Sequence, residues 1–428
     1  MGSKKSILDF VAGELERLTE PGDILIDLMA GSHTIGYAMK HKCRIVANDI
    51  QHYSFVIGRT LLNYIPEPRF EGYIQDEFRK LYLTNRRHLE KLFEPGLIVE
   101  EDMLYSEHPP NWMKYRDFCE NFPYYLRPTI TTGWHEDFLL MFSRERVKAY
   151  RSWHKLEPYS LFSVFYANGY MGVRQAMELD SLRYAIDKLC DGMNDNGDDN
   201  DGFDVAGLRN ILMSALLAVL SRINPGPGHW AAIPRVSIRN YDHIISYRKL
   251  ELYDLFMSKV AELEKALAKN TSPYASDHIV MTEDFPVFIE EITDAIRQAK
   301  VVYLDPPYSQ GHYSRFYHLP ETLVRYDYPE IAFAGRYRTD RHQSPFAKKE
   351  TVAKALGHIC RYVRSVGTIL VISYSQNGVI QNTKQFRAIL EQYYSPKNIK
   401  LKSRHASHSK FGQAERMKTE EYLFICYP

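Results

Sequence analysis

A chain of 428 residues, 45% hydrophobic and 25% charged, has the balance of a globular protein and exceeds one ordinary domain, so two domains or one with a large insertion are expected. Its 54 basic and 53 acidic residues leave a net charge of +1, which excludes a bulk-basic nucleic-acid binder and confines any basic surface to a local patch. Five scattered cysteines with no Cys-x-x-Cys fit a reducing cytosol and argue against a zinc site. No secretory signal is expected, and the apolar run Ile211–Leu220 is too short to span a bilayer; it reads as a buried helix, with no membrane role and a cytoplasmic location.

In chain order, Ile7, Leu8, Val11, Leu15 and Leu18 stand at helical spacing over residues 5–19, and Pro21-Gly22 ends that helix. A strand over 23–28 follows, then a turn at Met29-Ala30-Gly31-Ser32-His33, a helix from Thr34 to Lys40, and a second strand over 43–47 ending in Asn48-Asp49. This is a β-α-β unit with a small-residue turn after its first strand and an acid at the tip of its second. Such a turn lets backbone approach a ligand closely, and such an acid accepts hydrogen bonds from ribose hydroxyls. On these residues alone, a nucleotide-binding α/β protein of another chemistry is the preferred reading.

From about residue 63 to 276 the β-α rhythm disappears. Residues 65–160 are aromatic, charged and broken by prolines, and no helical stripe is predicted to persist there. Arg144, Arg146, Lys148, Arg151 and Lys155, interleaved with Tyr150 and Trp153, suit phosphate contact with stacking, although a solvated helix face is the favoured reading of one charge run. Asn168–Ala176 leads into a helix through Met177, Leu182, Ile186 and Leu189. The acidic tract 191–202 lacks the spacing of a calcium loop and reads as a disordered surface loop. A glycine–proline loop, 224–230, follows the apolar helix 205–223, and an amphipathic helix covers 250–267.

The β-α rhythm then returns. Strand 278–282 leads to Glu283-Asp284-Phe285, and a helix over 287–298 leads to the β-branched strand Ala299–Leu304. Asp305-Pro306-Pro307-Tyr308 ends that strand, where an open α/β sheet keeps its ligands. Each proline fixes its φ and lacks an N–H, so the rim is rich in acceptors: the Asp305 carboxylate, the Pro306 carbonyl and, beside them, the flat face of Tyr308. An exocyclic amino group offers two N–H donors and a ring to stack. Two fixed acceptors pull its nitrogen toward a tetrahedral geometry and free the lone pair for attack. The plain structural alternative is a strand-ending turn in which Asp305 caps and Tyr308 packs. Beyond it, Arg315 lies in a polar aromatic loop, and Arg336, Arg338, Arg341, Lys348 and Lys349 place cations beside the rim, where phosphate contact is expected. A helix through Val352, Leu356, Ile359 and Val363, a strand over 368–375, and two strands over 399–405 and 422–426 around a basic loop complete a sheet with a closing antiparallel pair.

Asp-Pro-Pro-Tyr, with the turn Asp27-Leu28-Met29-Ala30-Gly31-Ser32-His33, the acid Asp49 and the dipeptide Asp284-Phe285, resembles the ordered motif set of S-adenosylmethionine-dependent DNA adenine-N6 methyltransferases of the D12-like class, with the recognition region before the catalytic motif. Two residues depart from that pattern: Met29 stands for the usual Phe and His33 for the usual second Gly, where a positive φ would cost a histidine something. The resemblance implies an α/β fold, a Rossmann-like class I methyltransferase sheet with a large, mostly helical insertion. It implies a catalytic domain over 1–60 and 276–428 and a target-recognition insertion over 61–275. It assigns S-adenosylmethionine, and no metal, to Asp27, Met29, Ala30, Gly31, Ser32, His33, Asp49, Asp284 and Phe285. It assigns methyl transfer to a flipped adenine to Asp305, Pro306, Pro307 and Tyr308, with double-stranded DNA as partner and a cognate restriction endonuclease as companion. Cytosine-N4 methylation, an RNA or protein methyltransferase and a catalytically silent DNA-binding subunit are the rivals.

Overall fold

The computed structural model of the chain describes residues 7–64, 69–106, 111–127, 134–152, 156–195, 204–226, 228–284, 293–307, 313–376, 378–380, 382–409 and 416–428. Two units emerge: Met1–Ile65 with Asn270–Phe316 and His342–Pro428 form the first, and Pro66–Lys269 with Tyr317–Arg341 form the second.

The described strands are β1 (Ile24–Asp27), β2 (Arg44–Asn48), β3 (Ile279–Met281), β4 (Ala299–Leu304), β5 (Ile331–Ala332), β6 (Tyr337–Arg338), β7 (Ile369–Ser375), β8 (Ile399–Ser409) and β9 (Arg416–Cys426). Seven of them build the sheet of the first unit in the order β3-β2-β1-β4-β7-β9-β8. The strands from β3 to β7 run parallel, and β9 lies antiparallel to both β7 and β8. The expected α/β class I sheet is thus present. From β1 the chain crosses to β2 on one side and, much later, to β4 on the other, so the topological switch point lies between β1 and β4.

The strand sequences explain why both faces are covered. All four residues of β1 are buried, as a parallel strand under two helical layers requires. Ile24, Ile26, Val302, Leu304, Leu370 and Ile372 face one layer, with Val352, Leu356, Ile359 and Val363 of the helix Lys349–Ser365. Leu25, Val301, Tyr303 and Val371 face the other, where Val11 and Leu15 of α1 (Leu8–Leu18) and Ile35 and Met39 of α2 (Thr34–Met39) cover them. Each such aliphatic side chain contributes roughly 1.5–3 kcal/mol on burial. β8 and β9 are longer than expected, reaching Ser409 and starting at Arg416, so the ladder takes in much of the segment read as a basic loop.

The second unit is helical. Residues 65–160, left without a stripe in the sequence reading, contain the 33-residue helix Tyr73–Tyr105. Its buried face is Phe78, Tyr82, Asn85, Leu89, Phe93, Gly96, Leu97, Glu100 and Leu104, a helical stripe written largely in aromatic, polar and small residues around Pro95. Glu100 is buried and accepts from the Val173 and Arg174 backbone N–H groups, both at 2.8 Å, so it caps the helix Val173–Asp195 from a neighbouring helix. That helix continues through the first five residues of the acidic tract read as a loop; residues 196–203 lie outside the described ones. Val205–Arg222 is long and apolar enough to cross a membrane by composition, but its Leu208, Leu212, Leu216 and Leu220 are buried within the unit.

The segment Tyr317–Arg341, assigned from sequence to the catalytic part, packs with the helices instead. Its side chains explain this. Tyr326 Oη donates to Asp180 Oδ1 at 2.5 Å, Tyr328 Oη accepts from Ser160 N at 3.0 Å, and Arg183 Nε donates to the Leu323 carbonyl at 3.1 Å. All the polar residues in these contacts are buried or nearly so, and unmaking such a bond leaves a desolvated group without a partner.

Candidate active site

The carboxyl ends of β3, β2, β1 and β4 lie in a row, and backbone hydrogen bonds join the loops that leave them. Leu28 N donates to the Tyr303 carbonyl at 3.0 Å, which brings the exit of β1 beside the approach to Asp305. Ala30 N donates to the Asn48 carbonyl at 2.8 Å, and Asp49 N to the Met281 carbonyl at 3.3 Å. Asn48 is buried, and its amide makes a reciprocal pair with Glu283: Nδ2 donates to the Glu283 carbonyl at 2.9 Å and Oδ1 accepts from Glu283 N at 3.0 Å. The position of Asp284, one residue on, is therefore set by the tip of β2.

The turn after β1 is held equally tightly. Gly31 has φ +53°, and a Cβ added to it would meet no atom within 4 Å. The glycine is there for its left-handed backbone, and its open side leaves room for a ligand to approach. Gly31 N donates to Asp49 Oδ2 at 2.9 Å, while Asp49 Oδ1 accepts from Gln51 N at 2.9 Å. The acid at the tip of β2 thus braces the turn through both of its carboxylate oxygens. Ser32 and Thr34 share a hydroxyl–hydroxyl bond of 2.9 Å. Met29 is half-buried against one core layer and Ala30 against the other. Asp27, the last residue of β1, is 2% exposed and pairs in register with Tyr303.

His33 takes the left-handed conformation that a second glycine would have supplied, with φ +55° and ψ +26°. Its ring is fully buried and bonds through Nε2 to Ser54 Oγ at 3.1 Å. Burial pushes its pKa down to about 4, against the smaller upward pull of its contact with Ser54, so the ring is neutral at physiological pH.

Of the catalytic candidates, Asp305 and Pro307 are half-buried and Pro306 is buried, directly after β4. Asp284 is exposed, near enough to His342 to oppose the fall in the His342 pKa that burial causes. Tyr308 and Phe285 lie outside the described residues.

The basic candidates divide. Arg338 is 2% exposed and forks onto two carboxylates: its Nη1 and Nη2 meet Asp327 at 2.6 and 2.7 Å, and its Nε and Nη2 meet Asp340 at 3.0 and 2.8 Å. Arg336 is buried, donates to the Phe165 carbonyl at 2.6 Å and stacks 3.6 Å from the Tyr124 ring centre. Neither guanidinium is presented to a phosphate, which corrects the expectation for both. Arg315 and Lys348 are exposed and Arg341 is half-buried. In the earlier run, Tyr150 is buried and stacked on Tyr328, and Arg151 bonds to the Tyr328 and Pro329 carbonyls and to Glu330. These two residues pack against the protein, which departs both from a solvated helix face and from phosphate contact.

Three residues that hold the site were missed: Asn48, Ser54 and Gly58. Only Gly58 carried a signal, since a glycine inside the helix α3 (His52–Leu62) costs up to about 1 kcal/mol against alanine and so asks for a reason. Among the described residues, no group of His, Cys, Asp and Glu is arranged to hold a metal ion.

Residues 256–366 match the family model of the D12 class N6 adenine-specific DNA methyltransferases, a stretch that contains β3, β4 and Asp305-Pro306-Pro307. That match and the sheet together define the class this site resembles. Among individual proteins, the chain is similar to modification methylase LlaI of Lactococcus lactis subsp. lactis, at 19% identity over 89% of this chain and 46% of that one. It is similar to type II methyltransferase M.FokI of Planomicrobium okeanokoites, at 20% identity over 99% of this chain and 52% of that one, and to modification methylase StsI of Streptococcus sanguinis, at 21% over 89% and 44%. The chain thus spans about half the length of the curated relatives it matches.

Proposed function

We propose that this chain is a DNA adenine-N6 methyltransferase that uses S-adenosylmethionine as methyl donor and acts on an adenine turned out of the duplex. The observation that carries this reading is the 3.0 Å bond from Leu28 N to the Tyr303 carbonyl, with the paired register of Asp27 and Tyr303. It brings the glycine turn and the Asp-Pro-Pro rim to one edge of the sheet, at the switch point where open α/β sheets bind ligands.

The residues fit the donor. Gly31 offers open backbone, Asp49 stands at the tip of β2 where it would accept from ribose hydroxyls, and Asp284 is an exposed carboxylate that would accept from the adenine amino group, with Phe285 beside it in sequence. Bound there, S-adenosylmethionine supplies an electrophilic methyl group on a sulfonium sulfur. At the rim, the Asp305 carboxylate and the Pro306 carbonyl accept the two N–H groups of the target adenine, and Tyr308 stacks on its ring. The amino nitrogen is held with its lone pair directed at the methyl carbon. Methyl transfer to that nitrogen would leave the S–C bonding pair on the donor's sulfur, and the methylated nitrogen would give one proton to solvent. Positioning and electrostatics do this work, and extrusion of the base exposes N6 to the rim.

The helical unit is the proposed reader of the DNA sequence; Arg341 of that unit, and Arg315 and Lys348 of the sheet unit, are the proposed phosphate contacts. Relatives named as modification methylases support a role in protecting DNA beside a restriction endonuclease.

The test is transfer of labelled methyl from S-adenosylmethionine to duplex DNA, followed by nucleoside analysis. Label in N6-methyladenine supports the reading, label in N4-methylcytosine replaces it with the cytosine chemistry, and unlabelled DNA over a range of sequences overturns it.

A further inference from the structure

The turn that carries Gly31 is supported in an unusual way, and the support reaches into α3. Ser54 Oγ donates to the Gly31 carbonyl at 2.6 Å. A hydroxyl has one hydrogen to give, so at the 3.1 Å contact with His33 it is the ring Nε2–H that donates to Ser54 Oγ. The imidazole, the hydroxyl and the glycine carbonyl thus form a single directed chain, His33 to Ser54 to Gly31. The ring is placed by its own backbone, whose N–H donates to the Ala30 carbonyl at 2.8 Å and whose φ is +55°.

This arrangement needs space one turn further along α3. A Cβ on Gly58 would lie 2.4 Å from His33 Cε1, 2.6 Å from His33 Nε2 and 2.8 Å from Val280 Cγ1. Contacts that short cannot be met without displacing the ring. The missing side chain at 58 is therefore the counterpart of the extra one at 33. The turn carries a hydrogen-bonding ring at 33, and α3 carries no side chain at 58, where that ring lies.

We propose that His33, Ser54 and Gly58 are positioning residues for the methyl donor. The ring and hydroxyl hold the Gly31 peptide so that its N–H stays on Asp49 and its open side stays toward the ligand, and Gly58 is the vacancy that admits the ring. None of the three transfers a proton or touches the reacting atoms. The inference rests on the turn being the S-adenosylmethionine site.

The experiment is a double-mutant cycle on the full chain, read by calorimetric titration with S-adenosylmethionine and, without ligand, by the thermal unfolding midpoint. Gly58→Ala should weaken binding by about tenfold or more, the effect of losing one well-made hydrogen bond at the turn. His33→Gly alone should weaken it less, since glycine adopts the same backbone. In the His33→Gly background, Gly58→Ala should cost much less, with Val280 accounting for what is left. Such non-additivity is the mark of two residues in contact through one space. Ser54→Ala should weaken binding and also lower the midpoint, since the buried His33 Nε2–H then loses its acceptor and the Gly31 carbonyl its donor.

Unchanged affinity in Gly58→Ala, or an equal loss in both backgrounds, would overturn the proposal. If the parent chain fails to bind S-adenosylmethionine while the unfolding midpoints still show the coupling, the cofactor reading has failed and the His33–Gly58 exchange remains as turn architecture alone.

Discussion

At the scale of single residues, chemistry and support separate cleanly. Asp305 stands at the end of β4, outside the buried strand, so replacing it removes an acceptor without opening a core. Asp305→Ala is expected to bind S-adenosylmethionine and DNA nearly as the parent does while methyl transfer falls by at least about 100-fold. Full turnover in that variant would remove Asp305 from the mechanism. Arg338 is the opposite case. Arg338→Ala leaves Asp327 and Asp340 to Arg325 alone, at 2.8 and 3.1 Å, and is expected to cost up to about 2 kcal/mol, less than breaking a fully buried pair because both acids keep that cation and some solvent. Urea unfolding measures this, and an unchanged midpoint would contradict it. Sequence alone placed Asp305 and Gly31 at strand ends, because a proline pair and a glycine after apolar runs punctuate the chain in one way. It did not distinguish Arg338 from Lys348, since nothing in the order of residues shows that Asp327, from before β5, folds back to pair with the Arg338 guanidinium.

At the scale of elements, the sheet was legible and much of the helical unit was not. The strands β1, β4 and β7 are continuous apolar runs, and parallel strands under two layers read that way. The helix Tyr73–Tyr105 was hidden because its inward face includes Asn85, Gly96 and Glu100 and its body includes Pro95. Asn85 is inside because its amide bonds the Tyr159 backbone in both directions, at 3.1 Å from Nδ2 and 2.8 Å to Oδ1. A periodicity of hydrophobic residues cannot announce a buried face whose polar members are satisfied by partners more than seventy positions away. The same limitation assigned Tyr317–Arg341 to the sheet, because its continuity with Asp305 is visible and its bonds to Asp180 and Ser160 are not. If the helical unit reads DNA sequence, exchanging residues 66–269 and 317–341 together for those of a related methylase should move methylation to the donor's site. Retention of the original site, measured by methylation-sensitive sequencing, would deny the unit that role. Exchanging 66–269 alone should instead unfold the hybrid, since the buried partners Asp180 and Tyr326 then come from different proteins.

At the scale of the whole chain, three buried histidines set a pH dependence. Burial pushes the pKa of His33 and His278 down to about 4 and that of His318 to about 3, each partly opposed by a hydrogen bond or a nearby acid. An unfolded histidine takes its proton near pH 6.5, so between about 6.5 and 4 the unfolded state binds more protons, and stability falls as pH drops. Each ring contributes roughly 1.4 kcal/mol per pH unit within that window. Asp180 works against them: burial raises its pKa to about 6, which favours the fold as pH falls through that value. Burial also raises the carboxyls of Glu100 and Glu178 and lowers His342, so four imidazoles act against three carboxyls, and denaturant midpoints should decline from neutral pH toward about pH 5. A rise over that range would contradict the buried, neutral state of these rings.

The glycine turn after β1 and the acidic rim after β4 are proposed to serve one reaction centre. A crystal structure of the chain with S-adenosylhomocysteine tests it most directly. The expected result is ribose against Asp49, backbone contact at Gly31 and the sulfur directed at Asp305. A ligand seated elsewhere on the chain, or bound at the turn with its sulfur directed away from Asp305, would contradict the account.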